Sequence, residues 1–258
     1  VSQPRGSLKH VLDLLDSGRF AQTMSILLGK DGVQLTEKDA WRPQGNVDPE
    51  EWTVRRFCAE HCTDLFDFAR FDAWWVPDKY RNPQWDILST CTIDDQPGLL
   101  LVEAKGNDQE LDWNGKPLSD KASDQSRENH RIIGQCIDEA SAALNKHIPG
   151  FAISRDRHYQ LSNRIATAWK LAQCGLPVAL LYLGFSGDEG IRAGDTRHPI
   201  IDHDHWQRLM GSYLHGLVPQ HFPGMILSEK GGGSIRLIIK TLPIIQISPP
   251  AKEGSCAS

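Results

Sequence analysis

The chain has 258 residues, enough for one large domain or for one domain with an added element. No apolar run approaches the roughly 18–20 residues of a membrane span, so no membrane partner is expected. Six cysteines without a CxxC pair give no disulfide framework and no paired-cysteine zinc site, and a reducing, cytoplasmic setting suits them. The net charge of −5 exerts no global pull on a polyanion, so nucleic acid would have to be met by a local basic surface or by metal ions.

In chain order, residues 1–30 read as helical: VLDLLDSGRFAQTMSILLG carries apolar residues at helical spacing, with Gly29 as a stop. Residues 31–48 read as a polar connector. Asp48 followed by Pro49 suits the cap and first turn of a helix whose one face is Val54, Phe57, Cys58, His61 and Leu65. FDAWWVP (71–77) reads as a short aromatic strand closed by Pro77. WDILST and LLLVEAKG read as two more strands joined by a turn at IDDQPG.

Two helices are expected next, over about 124–146 and 159–174, the second stopped by Gly175. VALLYLGF follows as a buried strand. HWQRLMGSYLHGLV reads as a helix, MILSEKGGGSIRLIIK as a hairpin over GGG, and the tail from Pro249 as disordered. The expected fold class is α/β, a central mixed sheet flanked by helices with additions at both ends. Its divisions are a helical extension and connector over 1–48, the α/β domain over 49–248 and a flexible tail over 249–258.

The segment that carries chemistry is LLLVEAK. Alternate strand residues share a face, so Leu99, Leu101, Glu103 and Lys105 lie on one side and Leu100, Val102 and Ala104 on the other. Apolar residues on both faces make this a central strand, with Glu103 and Lys105 partly desolvated at its end. Stranding one partner of a buried ion pair costs about 3–5 kcal/mol against a total stability of roughly 5–15, a risk that a purely structural strand has little reason to take. Asp86 interrupts the preceding apolar strand in the same way and faces Glu103 if the two strands are antiparallel neighbours. Two carboxylates and the Ala104 carbonyl would then form a hard-oxygen site suited to Mg²⁺, with Mn²⁺ as a substitute. Lys105 would add a fixed cation to hold a water and steady charge on a phosphate. The same residues also satisfy a simpler account, a strand-end ion pair between Glu103 and Lys105 or a helix residue.

Asp86, followed seventeen positions later by Glu103-Ala104-Lys105, resembles the PD-(D/E)xK motif of restriction-endonuclease-like nucleases, with Trp85 where that motif has proline. The element order from about 50 to 185 is similar to their common core. The resemblance implies a restriction-endonuclease-like fold and Mg²⁺-dependent cleavage of phosphodiester bonds, with DNA as the expected partner. It makes Asp86 and Glu103 metal ligands and Lys105 the catalytic lysine. Such enzymes often carry a further acid on the first helix, where Glu60 is the candidate. A homodimer would suit cutting of both strands. A non-catalytic binding or scaffolding protein on the same fold is the alternative.

Gln160, Asn163 and Arg164 cluster in the first turns of the helix after 159, where free backbone N–H groups favour anions. In the resembled fold such a helix starts near the active site, so these three would grip a phosphate or order the lysine. Arg155, Arg157 and Lys170 add a local basic excess, and Asn129 and His130 are lesser candidates. The run Asp202-His203-Asp204-His205, with His198 nearby, matches no metal-ligand spacing and reads as a solvated loop. Trp41 and Trp113, in polar loops, could stack on bases or pack on the rim.

Overall fold

The computed structural model describes residues 6–77, 82–192 and 197–246. Helices α1 (Ser7–Asp16) and α2 (Phe20–Leu28) lead into two short strands, β1 (Val33–Gln34) and β2 (Trp41–Arg42). Strand β3 (Trp52–Thr53) runs into α3 (Val54–His61) and α4 (Phe68–Asp72), and β4 (Gln84–Trp85) precedes the hairpin of β5 (Ile87–Ile93) and β6 (Gln96–Lys105). Helices α5 (Asp124–His147) and α6 (Tyr159–Gln173) cross over to β7 (Val178–Ser186). Helix α7 (His203–Leu214) and strands β8 (Ile226–Ser228) and β9 (Ser234–Pro243) complete the described elements.

Seven of the described strands form a mixed sheet in the order β1-β5-β6-β7-β9-β8, with β2 also paired to β5, and β3 and β4 form a separate two-stranded sheet. β6, β7 and β9 run parallel, which the helical crossover between β6 and β7 permits, and the remaining pairs are antiparallel. Helices cover both faces. Leu100 and Val102 meet Val11, Leu14 and Met24 of α1 and α2 on one side. Leu99 and Leu101 meet the cluster holding Ile137, Ile165 and Trp169 of α5 and α6 on the other. The alternation expected along β6 is therefore present. Its turn needs left-handed backbone at two positions, and Asp94 (φ 47°) and Asp95 (φ 62°) supply it, Asp94 being held by Arg236 Nη2 at 2.5 Å.

The boundaries differ from expectation in several places. The first helical segment is broken in two at Gly18 (φ +66°). The cap of α3 is Thr53, whose hydroxyl accepts from the Arg56 N–H at 3.2 Å, and not Asp48. That helix ends at His61, short of Leu65. The residues before it are drawn into β3, which pairs Trp52 with Trp85 and Thr53 with Gln84. FDAWWVP is not a strand. Asp67 caps α4 through the Arg70 N–H, and Arg55 binds the carbonyls of Asp72 and Val76, curling the segment instead of extending it.

Helix α6 is buried from Leu161 to Ala172, not along one stripe, because it is packed against α5 on one side and against β7 and β9 on the other. Helix α7 starts at His203 on an Asp202 cap, so the histidine run is helical and not a loop. The tail from Pro249 lies outside the described residues. No helix among the described residues is long and apolar enough to cross a membrane.

Candidate active site

β5 and β6 are antiparallel with Ile87 opposite Val102 and Leu88 opposite Leu101, so Asp86 comes to stand beside Glu103 at the open end of the hairpin. One Asp86 carboxylate oxygen accepts the Ala104 N–H at 2.6 Å. A strand residue turns its N–H and C=O to the same edge, so the Ala104 carbonyl faces that edge as well. On the neighbouring face Lys105 Nζ donates to Glu103 Oε1 at 2.5 Å, and Arg164 Nε donates to Glu103 Oε2 at 2.7 Å. Glu103 is 2 % exposed, Lys105 5 % and Arg164 6 %, so this triad lies beneath the surface and reaches solvent through half-buried Asp86 and Gln160.

The charges divide unevenly. Burial would raise the Glu103 carboxyl, but Arg164 and Lys105 override it and hold it below the usual carboxylate range. Asp86 has no such cation. Burial, then the Glu103 charge, pushes it up to about 8, against the partial relief given by Lys105 and the Ala104 N–H. Lys105 feels the opposite balance: burial would lower it, but Glu103 and Asp86 keep it above its ordinary value and firmly protonated. It is a fixed cation at neutral pH and not a base.

The residues expected on α6 separate by role. Gln160 Oε1 accepts from Lys105 Nζ at 3.1 Å, which orders the lysine. Arg164 is wholly committed: besides Glu103 it donates to the Gln84 carbonyl at 2.6 Å and lies over the Trp85 ring at 4.1 Å, so it clamps the site and is not free to grip a phosphate. Asn163, 1 % exposed, donates to the Tyr159 hydroxyl at 3.1 Å and takes no part in the cluster. Lys170 is buried near Gln173 and Glu139, and Arg155 is paired with Asp156, so the expected basic excess is largely neutralised.

Glu60 is not brought to this cluster. It is half exposed, 3.9 Å from Arg42 and 3.6 Å from His61. The acid that the cluster feels is Glu51, which sits one residue before β3 as Asp86 sits one residue after β4, so that the Trp52–Trp85 pair carries the two acids toward each other. Burial and the charge of Glu103 raise the Glu51 carboxyl, and Glu51 in turn helps to raise Asp86. Cross-strand pairing is the signal that could have found it.

No known protein family, curated protein or solved structure matches the chain. Among the described residues no group of three or more His, Cys, Asp and Glu side chains is arranged to hold a metal ion. The donor chemistry at Asp86 nevertheless fits a divalent cation. Asp86 and the Ala104 carbonyl, on the same edge, are hard oxygen donors, and the Glu103 and Glu51 charges add to the burial that raises the Asp86 carboxyl to about 8. His203 and His205 contact Thr241 and the Ile201 N–H, respectively. Trp41 packs on Phe20, and half-exposed Trp113 meets His158 and Tyr213 edge-on.

Between pH 4 and 8 folded Asp86 keeps a proton that the unfolded chain releases, so the unfolded state binds fewer protons and stability falls as pH rises through this window. In chelator the urea midpoint should decline over that range, and Asp86→Asn, which cannot ionise, should flatten the decline. Tyr182, paired with Glu103 across β6 and β7, buries a hydroxyl that makes no hydrogen bond. Tyr182→Phe should leave the unfolding free energy unchanged or raise it by about 1 kcal/mol. A loss of more than about 1 kcal/mol in thermal or urea unfolding would contradict this.

Proposed function

We propose that this protein is a Mg²⁺-dependent nuclease of the restriction-endonuclease-like kind, hydrolysing phosphodiester bonds in DNA. The observation that supports this most is the meeting of Asp86, Glu103 and Lys105 at one end of the β5–β6 hairpin, two acids and a protonated lysine from strands that are otherwise apolar. Asp86, Glu103 and the Ala104 carbonyl would hold the ion, with Glu51 close enough to add charge. When bound, Mg²⁺ would lower the pKa of a water and screen the phosphate. Lys105, fixed between Glu103 and Gln160, orients an attacking water and offsets the charge that grows on the phosphate oxygens. Arg164 holds Glu103 in place from behind. A cytoplasmic setting and a homodimer that cuts both strands belong to the same proposal.

One observation favours a second reading, a non-catalytic protein that keeps these residues as a packing device. Both Glu103 oxygens are already taken by cations, and the group is almost closed to solvent. Linear, circular and single-stranded DNA, and RNA, incubated with the protein in Mg²⁺, Mn²⁺ or chelator decide the matter. The nuclease reading expects metal-dependent cleavage of at least one substrate. No cleavage of any of them, together with no Mg²⁺ heat that Asp86→Asn abolishes, would leave the packing reading.

A further inference from the structure

Beside the carboxylates lies a second cluster that the cleavage chemistry does not use. Trp52 is 5 % exposed, and its indole Nε1 is buried with no hydrogen-bond partner. Arg42 Nε and His61 Nε2 are buried in the same condition, so three of the seven such atoms among the described residues belong to one group. The group is contiguous: the Arg42 guanidinium is 4.4 Å and that of Arg56 3.8 Å from the centre of the Trp52 ring, and His61 stacks on it at 15° and 6.4 Å. An unmet buried polar group costs about 1–3 kcal/mol, so two N–H donors, Trp52 Nε1 and Arg42 Nε, with the His61 Nε2 of a ring that donates in its Nε2–H tautomer, point to a partner that supplies several acceptor oxygens at once.

The charge around the cluster favours an anion over a neutral partner. Arg56 is paired with Glu50 at 2.9 Å, but Arg42, whose Nη1 donates to the Trp41 carbonyl at 3.2 Å, has among the described residues no nearer carboxylate than Glu60, at 3.9 Å, and His61 meets the same oxygen at 3.6 Å, both beyond hydrogen-bond range. Glu60 is a loose counter-ion at the rim that a better anion can displace. The cluster also adjoins the candidate site on two strands. Trp52 follows Glu51 directly, and Arg42 is paired with Leu88, two residues from Asp86. A phosphate offers tetrahedral acceptor oxygens to the indole and imidazole N–H groups and a charge that the Arg42 guanidinium matches; burial holds the His61 imidazole below its ordinary pKa, so it serves as a neutral donor.

We propose that Arg42, Trp52 and His61 form a subsite for one backbone phosphate of the nucleic-acid strand whose neighbouring phosphodiester lies at Asp86 and Glu103; this rests on the nuclease reading. The test uses the full-length chain labelled with ¹⁵N, in chelator so that nothing is cut. The Trp52 indole N–H resonance, assigned by Trp52→Phe, is followed during titration with inorganic phosphate, with chloride at matched ionic strength and with a short single-stranded DNA.

Both phosphate and DNA should move the resonance downfield, and chloride should not. Arg42→Gln should weaken the response about tenfold, whereas Glu60→Gln, which removes the competing carboxylate, should strengthen it about threefold. The opposite signs separate ligand binding from a mere packing role for Arg42. A response to DNA alone supports the strand phosphate and excludes a free-phosphate site; a response to inorganic phosphate alone overturns the strand assignment. No response to either, or Glu60→Gln without effect, overturns the subsite. Because binding is read without metal, a protein that shows the shift but cuts nothing in Mg²⁺ loses the nuclease reading, and one that cuts without the shift loses only the subsite.

Discussion

Glu103→Ala should lower the unfolding free energy by about 3–5 kcal/mol, the largest effect expected from any single change at the site. Its carboxylate is the shared partner of Lys105 Nζ at 2.5 Å and Arg164 Nε at 2.7 Å, and all three residues are at most 6 % exposed. Removing it leaves two buried cations facing one another with no counter-charge on that face, and it also opens a cavity where the side chain stood. Glu103→Gln keeps the volume and one acceptor, so it should cost less than the alanine change. Urea unfolding at pH 7 in chelator reads both. A loss under 1 kcal/mol for Glu103→Ala would mean that the triad is not held together as described.

Lys105→Met should reduce metal-dependent cleavage by about 10²–10³-fold while leaving the protein folded. Methionine fills nearly the same space, and Glu103 keeps Arg164, so the packing loss is smaller than for Glu103→Ala. What disappears is the cation that is bound to Glu103 and Gln160 and feels the Asp86 charge. Because Lys105 is held protonated, the cleavage rate expected of the parent chain should not depend on its deprotonation anywhere near neutral pH. A parent rate that rises as a group like Lys105 loses its proton would assign it a different task.

Much of this site could be read from the amino-acid sequence, for a definite reason. The alternation Leu99, Leu101, Glu103, Lys105 follows from strand geometry alone, and the IDDQPG turn fixed which strand would lie beside it. Once those two strands are antiparallel, Asp86 has nowhere else to go. Other partners are set by contacts distant in the chain. Arg164 reaches Glu103 across 61 residues, and nothing in the local spacing of α6 says that its arginine points inward to a carboxylate and not outward to a phosphate.

Glu51 escaped notice because β3 and β4 are two residues each, too short to show any periodicity, and only their pairing brings the acid to Asp86. Glu60, chosen for its place on a helix, faces Arg42 instead. FDAWWVP misled by its aromatic content: strand propensity there was overruled by the Asp67 cap and by Arg55 binding two carbonyls of the segment. The helices of the first thirty residues were expected at the margin, yet they cover one whole face of the sheet, behind Leu100, Val102 and Ala104.

The most direct test of the account is the rate at which the purified chain cuts DNA in Mg²⁺, compared with Lys105→Met whose folding has been verified by its urea midpoint. The account predicts cleavage by the parent that chelator abolishes and that the substitution lowers by about 10²–10³-fold. Equal rates for the two proteins, or no metal-dependent cleavage by the parent, would contradict it.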